Sequence, residues 1–504
     1  MTFESSKKLL AIAVLFIIGM IAFFPCLNNG FTNWDDSAQI LSNPLVRRLS
    51  WKDAVTIFKS RVVSEYHPLV TLIFAIEYRF FGAQPFPYHF HSLLLHLLNA
   101  VLVFFVLLKV GRKMPVAFIG ALLFEIHPFQ VQVVAWISAR KDLLFACFYL
   151  VSFLFYCSFQ SGGKKRFYFL ALLFFIASLL SKTLAVTLPL IFLLWLYTEG
   201  KSIGKKEVAG VLPFLILSLA AGFFAFRMQV ARGPGSAAHL GINFENVILA
   251  FRNLKFYFLH LLLPINLSPM YIFPERIDFW QLISLFSLFL IIPLFLWFYL
   301  YRREKRLIWG AGFFIIILFP VLRLVPFAGV ESAAHRFLYL PSAGIFYLIG
   351  WIFYRLIEAG KMEKAAGLVA LIVLATCLAV LSNRRCPLWK DSPALWEEVM
   401  RKQGESELFY HMLADHHFHS GRPEKAIELC NESILYNPAM AYSYLLKSRA
   451  QLLLGNKEEA KMTFQRYIEV LNKLGRGEQA RRLAEELKIR FEETPDGEVP
   501  EGPR

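Results

Sequence analysis

Residues 7–29 read KKLLAIAVLFIIGMIAFFPCLNN: two lysines, then an apolar run from Leu9 to Phe24 that carries no charge and ends at Pro25 and Cys26. A positive flank before an apolar run is the opening of a secretory signal, but no small-residue cleavage site follows, so the run is expected to stay in place as a first membrane span with its N-terminus in the cytoplasm. The same signature recurs along the chain. Candidate spans lie at about 9–27, 91–108, 116–130, 143–160, 167–181, 183–199, 208–226, 281–301, 307–322, 337–357 and 365–382, each near the ~20 apolar residues that cross a bilayer. The loops between alternate pairs are basic: KVGRK at 109–113, SGGKKR at 161–166, KSIGKK at 201–206, RREKR at 302–306 and RLIEAGKMEK at 355–364. Placing all five in the cytoplasm gives one consistent alternation, as the positive-inside rule requires. Residues 247–263 are apolar enough to cross, yet they contain Arg252, Lys255 and His260, and counting them as a span would move RREKR outside. They are expected to form an amphipathic helix at the outer interface or a re-entrant element.

Composition agrees with this pattern. The 504 residues are 57% hydrophobic and only 18% charged, against roughly a quarter charged in soluble domains. The net charge of +16 sits in the short basic loops, so it argues for membrane topology and against a nucleic-acid partner. The six cysteines are scattered and form no CxxC, which disfavours a disulfide framework or a zinc site. The expected architecture is all-α: a polytopic bundle of about eleven transmembrane helices over residues 1–385, with a first extracytoplasmic loop at 28–90, a helical extracytoplasmic domain at 386–492, and a disordered tail at 493–504. An odd span count puts the two ends on opposite sides. Stretches 28–90, 131–142, 227–280, 323–336 and the whole C-terminal part then share the outer face.

The C-terminal part repeats itself. Over 407–474 Tyr410 recurs as Tyr444, Gly421 as Gly455, Ala426 as Ala460 and Cys430 as Phe464, and Pro438 closes the first unit. A 34-residue period of aromatic, glycine, alanine and proline marks TPR helix pairs, a short α-solenoid whose usual use is to bind a protein partner.

The polar residues outside these helices concentrate in the expected outer stretches. Trp34, Asp35 and Asp36 open the first loop; adjacent carboxylates beside lipid are costly and invite a role, as a general base toward a hydroxyl or as ligands of a divalent cation, with a plain solvated loop as the alternative. Glu65, Tyr66, His67 and Pro68 follow, then His89, His91 and His96 at the second span; His89 and His96 share a helix face and suit either metal ligation or helix packing. The second stretch carries Glu125, His127, Arg140, Lys141 and Asp142 around Trp136. Its cations suit a phosphate, or anchoring at lipid headgroups. Lys182, Arg323, His335 and Arg336 are the further cations of that face, the last followed closely by Tyr339. The distribution fits an enzyme acting on an anionic lipid from the outer leaflet.

As an ordered set these stretches resemble a known family. NWDD at 33–36, His67-Pro68-Leu69, HSLLLHLLNA at 91–100, HPFQVQVVAW with ARKDLL at 127–144, SKTLAVTLPL at 181–190, RFLYLPSAG at 336–344 and WKDSPALW at 389–396 are similar to bacterial membrane proteins with C-terminal TPRs and to the eukaryotic transmembrane TPR-containing O-mannosyltransferases, of the GT-C class. The resemblance implies a GT-C-like fold in the cytoplasmic (inner) membrane with a periplasmic tail, and transfer of a sugar from a polyprenyl-phosphate donor to a hydroxyl of a protein or a glycan, with inversion. Asp36, or Asp35, falls on the catalytic acidic pair. Trp34, His67, His89, Glu125, His127, Arg140, Asp142, Lys182, Arg336 and Tyr339 fall on substrate-binding positions, with Lys182, Arg140 and Arg336 expected at the lipid phosphate. Gln132 and Ala139 stand where relatives usually have acids. A polymerase or ligase of lipid-linked glycans and a non-catalytic TPR scaffold for envelope assembly are the competing classes.

Overall fold

A computed structural model describes residues 3–62, 65–201, 204–230, 244–272, 305–324 and 331–477. The chain divides into two compact units: Met1–Gly30 with Gln39–Trp389, and Phe31–Ala38 with Lys390–Arg504.

The first unit is a bundle of helices. In chain order these are α1 (Phe3–Phe23), α2 (Pro44–Arg47), α3 (Trp51–Ile57), α4 (Pro68–Phe81), α5 (Pro85–Gly111), α6 (Met114–Ile126), α7 (Val131–Ala135), α8 (Arg140–Gln160), α9 (Lys165–Ser181), α10 (Leu188–Thr198), α11 (Lys205–Val230), α12 (Phe244–Leu262), α13 (Lys305–Leu318), α14 (Ser342–Glu358) and α15 (Lys364–Arg385). A two-residue strand β1 (Tyr271–Ile272) pairs antiparallel with β2 (Glu331–Ala333). Among the described residues, five helical stretches are long and apolar enough to cross a membrane: Glu4–Asn28, Pro85–Gly111, Ile137–Gln160, Lys205–Arg227 and Lys364–Trp389. A sixth joins Met114–Ile126 to Pro128–Ala135 across a 48° bend. The protein is therefore a multi-pass, all-α membrane protein. The other spans expected from hydropathy coincide with shorter helices (α9, α10, α13 and α14), and the one at 281–301 lies outside the described residues.

Proline and small residues shape the bundle. Pro68, Pro85 and Pro128 each sit in the first turn of a helix or 3-10 turn, where a missing N–H leaves no bond unmade. α14 packs on α6 and on α13. A Cβ at Gly344 would overlap the carbonyl of Gly310, and one at Gly350 would lie 2.8 Å from the Val116 carbonyl. Small residues let membrane helices approach until dispersion contacts hold them, because lipid offers no hydrophobic drive. On α12, Ala250, Asn253, Tyr257 and Leu261 are buried at three- and four-residue spacing while Leu259 and Leu262 are exposed, the one-sided pattern read from 247–263.

Every residue from 119 to 147 is buried, polar ones included, so the stretch 131–142, expected on the outer face, is packed within the unit. The stretch is folded as α7, a 3-10 turn and the start of α8. A headgroup-anchoring role for Arg140 and Lys141 does not fit that burial; both cations are paired with carboxylates inside the unit.

The second unit holds α16 (Ser392–Gln403), α17 (Glu407–His419), α18 (Pro423–Tyr436), α19 (Ala441–Leu453) and α20 (Lys457–Lys473). Successive helices pack on one another, and Ala414, Phe418, Ala426, Cys430, Leu446 and Ala450 form their core. The repeat seen in the sequence is visible here. Gly421 and Gly455 hold φ of 70° and 81°, the left-handed conformation that closes a helix, and Ala426 and Ala460 are both fully buried. The remainder of the helical domain expected to run to 492, from 478 on, and the tail at 493–504 lie outside the described residues.

Candidate active site

In the first unit the histidine-proline pairs place two candidates. Proline pushes the residue before it out of the helical region, so His67 and His127 stand at the thresholds of α4 and of the 3-10 turn Pro128–Gln130. His67 is buried, its Nδ1 lies 3.4 Å from Thr71 Oγ1, and its Nε2 has no partner among the described residues. Burial, then the Lys141 ammonium, lowers His67 to about 4, so it is neutral at pH 7.

Around it lies a set of paired charges. Lys141 Nζ donates to Glu65 Oε2 at 2.6 Å. Lys182 Nζ donates to Asp142 Oδ1. The Arg336 guanidinium forks onto both oxygens of Glu331, and its backbone N–H donates to Gln132 Oε1 at 2.9 Å. Lys182 and Arg336 share one aromatic floor: the ammonium is 5.1 Å and the guanidinium 5.0 Å from the Phe337 ring centroid, and Arg336 also lies 5.6 Å from that of Trp136. The pairs also feel one another. Burial lowers Lys182; Asp142 opposes that, and the cations Lys141 and Arg336 add to it. Protein crowding raises the Glu65 carboxyl, but Lys141 and His67, with Lys182 behind them, outweigh it and hold the group at about 2. Arg336 loses to burial and gains more from Glu331, with Asp142 and Glu65 contributing, so its charge is secured. Three cations and three carboxylates thus balance. Glu65, with half its side chain exposed, is the open edge of the set, whereas Asp142 is buried and its Oδ2 accepts no hydrogen bond among the described residues. Such a set can take a phosphate by exchanging carboxylate partners for phosphate oxygens, and Asp142 Oδ2 can accept from a hydroxyl.

Other candidates are engaged elsewhere. Arg140 is completely buried; Nε donates to Ser92 Oγ at 2.9 Å, Nη1 to Glu77 Oε1 at 2.6 Å and Nη2 to the Tyr88 carbonyl at 2.5 Å. Each nitrogen of the guanidinium is committed to tying α8 to α4 and α5. His89 meets the Gly30 carbonyl at 3.1 Å and His127 the Leu261 carbonyl at 3.1 Å. His96 bridges the Glu125 carbonyl and the Tyr339 hydroxyl, and Asn99 donates to that hydroxyl too, which places Tyr339 inside the bundle. The Glu125 carboxyl is fully buried against Gly19 of α1 with neither oxygen partnered among the described residues.

The acidic pair belongs to the second unit. Thr32 donates from its N–H (2.9 Å) and its hydroxyl (3.1 Å) to Asp36 Oδ2, closing a tight loop that buries Asp36 and leaves Asp35 half-buried. Trp34 packs on Trp396 with ring centroids 5.4 Å apart. Two of the sequence stretches singled out above, at 33–36 and 389–396, therefore meet in space.

Several residues of these networks escaped the sequence reading. Glu77 and Glu331 neutralise Arg140 and Arg336, and Asn33 anchors the acidic loop; a buried arginine announces the need for a carboxylate but not which one. Among the described residues no group of three or more His, Cys, Asp or Glu is arranged to hold a metal ion, and His89 and His96 each spend a ring nitrogen on a backbone carbonyl.

No protein-family model matches the chain. It is 25% identical over 417 residues to a protein O-mannosyl-transferase of Caenorhabditis elegans, covering 78% of this chain and 57% of that protein. It is 26% identical over 408 residues to protein O-mannosyl-transferase TMTC4 of Homo sapiens, covering 66% and 53%. Against protein O-mannosyl-transferase TMTC1 of Homo sapiens the identity is 33% over 132 residues, 24% of this chain and 15% of that one. The chain spans about half the length of the first two of these relatives. The resemblance read from the ordered motifs is borne out: over most of its length this chain is similar to the transmembrane protein O-mannosyl-transferases.

Proposed function

We propose that the protein is a membrane glycosyltransferase of GT-C type. It would transfer a mannosyl group from a polyprenyl-phosphate donor to a hydroxyl of a protein at the extracytoplasmic face of the inner membrane. The observation that carries the reading is the balanced cluster of Lys141, Lys182 and Arg336 with Glu65, Asp142 and Glu331 over an aromatic floor, in a chain similar to proteins named protein O-mannosyl-transferases. Lys182 and Arg336 bind the phosphate, and Lys141 supports them. Fixed cations favour the moment at which the anomeric carbon–oxygen bond to the phosphate breaks and negative charge collects on the leaving oxygen. The acceptor oxygen forms the new bond to that carbon from the opposite side, so the anomeric centre inverts. By resemblance Asp36, or the more open Asp35, takes the acceptor proton. The polyprenyl phosphate leaves with its electron pair. The helical repeat of the second unit is a TPR-like surface for a protein acceptor or partner.

Membranes containing the protein, given radiolabelled polyprenyl-phosphate mannose, test this. Label should pass to protein, and Lys182→Met, Arg336→Met or Asp36→Asn should each reduce the rate about a hundredfold or more, the usual effect of removing one group that stabilises developing charge. Full activity in both Lys182→Met and Arg336→Met would end the phosphate assignment. Label that passes only to glycan would replace the protein acceptor with a glycan one.

A further inference from the structure

The acidic loop is not free-standing. Asn33, two residues before Asp35, spends its backbone N–H and both polar atoms of its side chain on the C-terminal helices of its own unit. Its backbone N–H donates to Ser392 Oγ at 2.9 Å. Its side-chain amide donates to the Met412 carbonyl at 2.7 Å and to Asp415 Oδ2 at 3.0 Å. Its Oδ1 accepts from Trp396 Nε1 at 2.8 Å. These partners come from α16 and α17, which no sequence rule links to the loop.

The partners are themselves fixed. Trp396 is fully buried and stacks on Phe409 with ring centroids 5.9 Å apart. Asp391 caps α16 by accepting from the Ala394 N–H at 2.9 Å. Asp415 has its other oxygen 3.2 Å from His419 Nδ1, so Asn33 meets a carboxylate already held from its far side. An asparagine is the one side chain of this size that offers two donors and an acceptor at once. Aspartate would set a second carboxylate against Asp415 and the Met412 carbonyl.

We propose that Asn33 is a positioning residue that seats the acidic pair on α16 and α17, so that the C-terminal helices are part of the transfer machinery and not solely a docking module for protein partners. The proposal rests on the reading of Asp35 and Asp36 as the acceptor base. Asn33 itself touches no substrate. It sets where the backbone of residues 34–36 lies, and displacing a catalytic group by about 1 Å is enough to lower a rate about a hundredfold.

The test uses the full chain in detergent micelles or nanodiscs, as wild type, Asn33→Ala and Trp396→Phe. The tryptophan variant keeps an aromatic ring and loses only the donor to Asn33. Backbone hydrogen exchange reads the seat directly, without reference to activity. The expected result is slow exchange of peptides covering 31–38 in wild type, about tenfold faster exchange in both variants from the lost hydrogen bonds, and no change in α5 or α8. Mannosyl transfer measured on the same preparations should show kcat about ten- to a hundredfold lower in Asn33→Ala with the acceptor KM unchanged, the split expected when positioning and not binding is lost. Unchanged exchange in both variants overturns the proposal. So does faster exchange with undiminished kcat. If wild type transfers no sugar but the variants still release the loop, the seat stands and the glycosyltransferase reading is the one that falls.

Discussion

Replacing Glu77 by alanine should unsettle the membrane unit more than any change in the cluster of Lys141, Lys182 and Arg336 with its carboxylates. The substitution leaves the Arg140 guanidinium, which has no exposed surface, without an ionic partner among the described residues, while Ser92 and the Tyr88 carbonyl still hold its other nitrogens. Breaking a buried pair by removing one member costs about 3–5 kcal/mol, because the survivor keeps its charge away from water. For a unit of this size, unfolding entropy near the midpoint is on the order of 0.8 kcal/mol per degree, so the melting temperature should fall by about 4–6 °C. Removing both charges, as Arg140→Leu with Glu77→Leu, should recover most of that loss, since the double change leaves no buried charge alone. The assay is thermal unfolding in detergent followed by loss of the monodisperse peak, with Lys182→Met and Arg336→Met alongside. If Glu77→Ala melts like wild type while Arg140→Ala melts normally but transfers no sugar, Arg140 is a ligand-binding residue and the reasoning is wrong.

Other consequences can be checked in the same format. Gly344→Ala should destabilise by about 1–3 kcal/mol because its new methyl meets the Gly310 carbonyl, which cannot turn aside, whereas Gly222→Ala, with open space around it, should be neutral or better. Gln132→Glu should lower the melting temperature by the equivalent of about 1–3 kcal/mol: the carboxylate still accepts from the Arg336 N–H, but the donor to the Pro269 carbonyl is gone. His67 is lowered from its ordinary 6.5 to about 4, so the unfolded chain binds this proton first and stability is lost as pH falls from about 6.5 through 4. His67→Asn should flatten the melting profile in that window by up to about 1.4 kcal/mol per pH unit; identical slopes in both proteins would contradict the assignment.

How much of this was legible in the sequence depends on the range over which each feature is encoded. Helix starts at Pro68 and Pro85, the long apolar runs and the 34-residue repeat with its two left-handed glycines are local, and reading along the chain finds them. The cations Lys141, Lys182 and Arg336 stood out for the same reason. The burial of 131–142 was not legible, because polar density alone does not separate an exposed stretch from one whose charges are paired. In that stretch the charges are buried because partners from distant segments neutralise them, Glu65 for Lys141 and Glu77 for Arg140, and neither separation leaves a periodic trace. Asn33 was invisible for a further reason: its meaning lies in three acceptors and a donor contributed by α16 and α17, and the asparagine itself looks like any loop residue.

The hydrogen bonds between Asn33 and residues 392–415 have a consequence for biogenesis. The acidic loop is translated more than 350 positions before Ser392, Trp396, Met412 and Asp415. Until they are synthesised, the seat of residues 33–36 does not exist, and closing it brings together segments separated by more than 350 positions, the slowest kind of contact to form. A nascent or prematurely terminated chain can insert its early spans yet carry an unseated acidic pair. Seating of the acidic pair is thereby tied to translation past Asp415, and a chain terminated between its early spans and Ser392 lacks the seat.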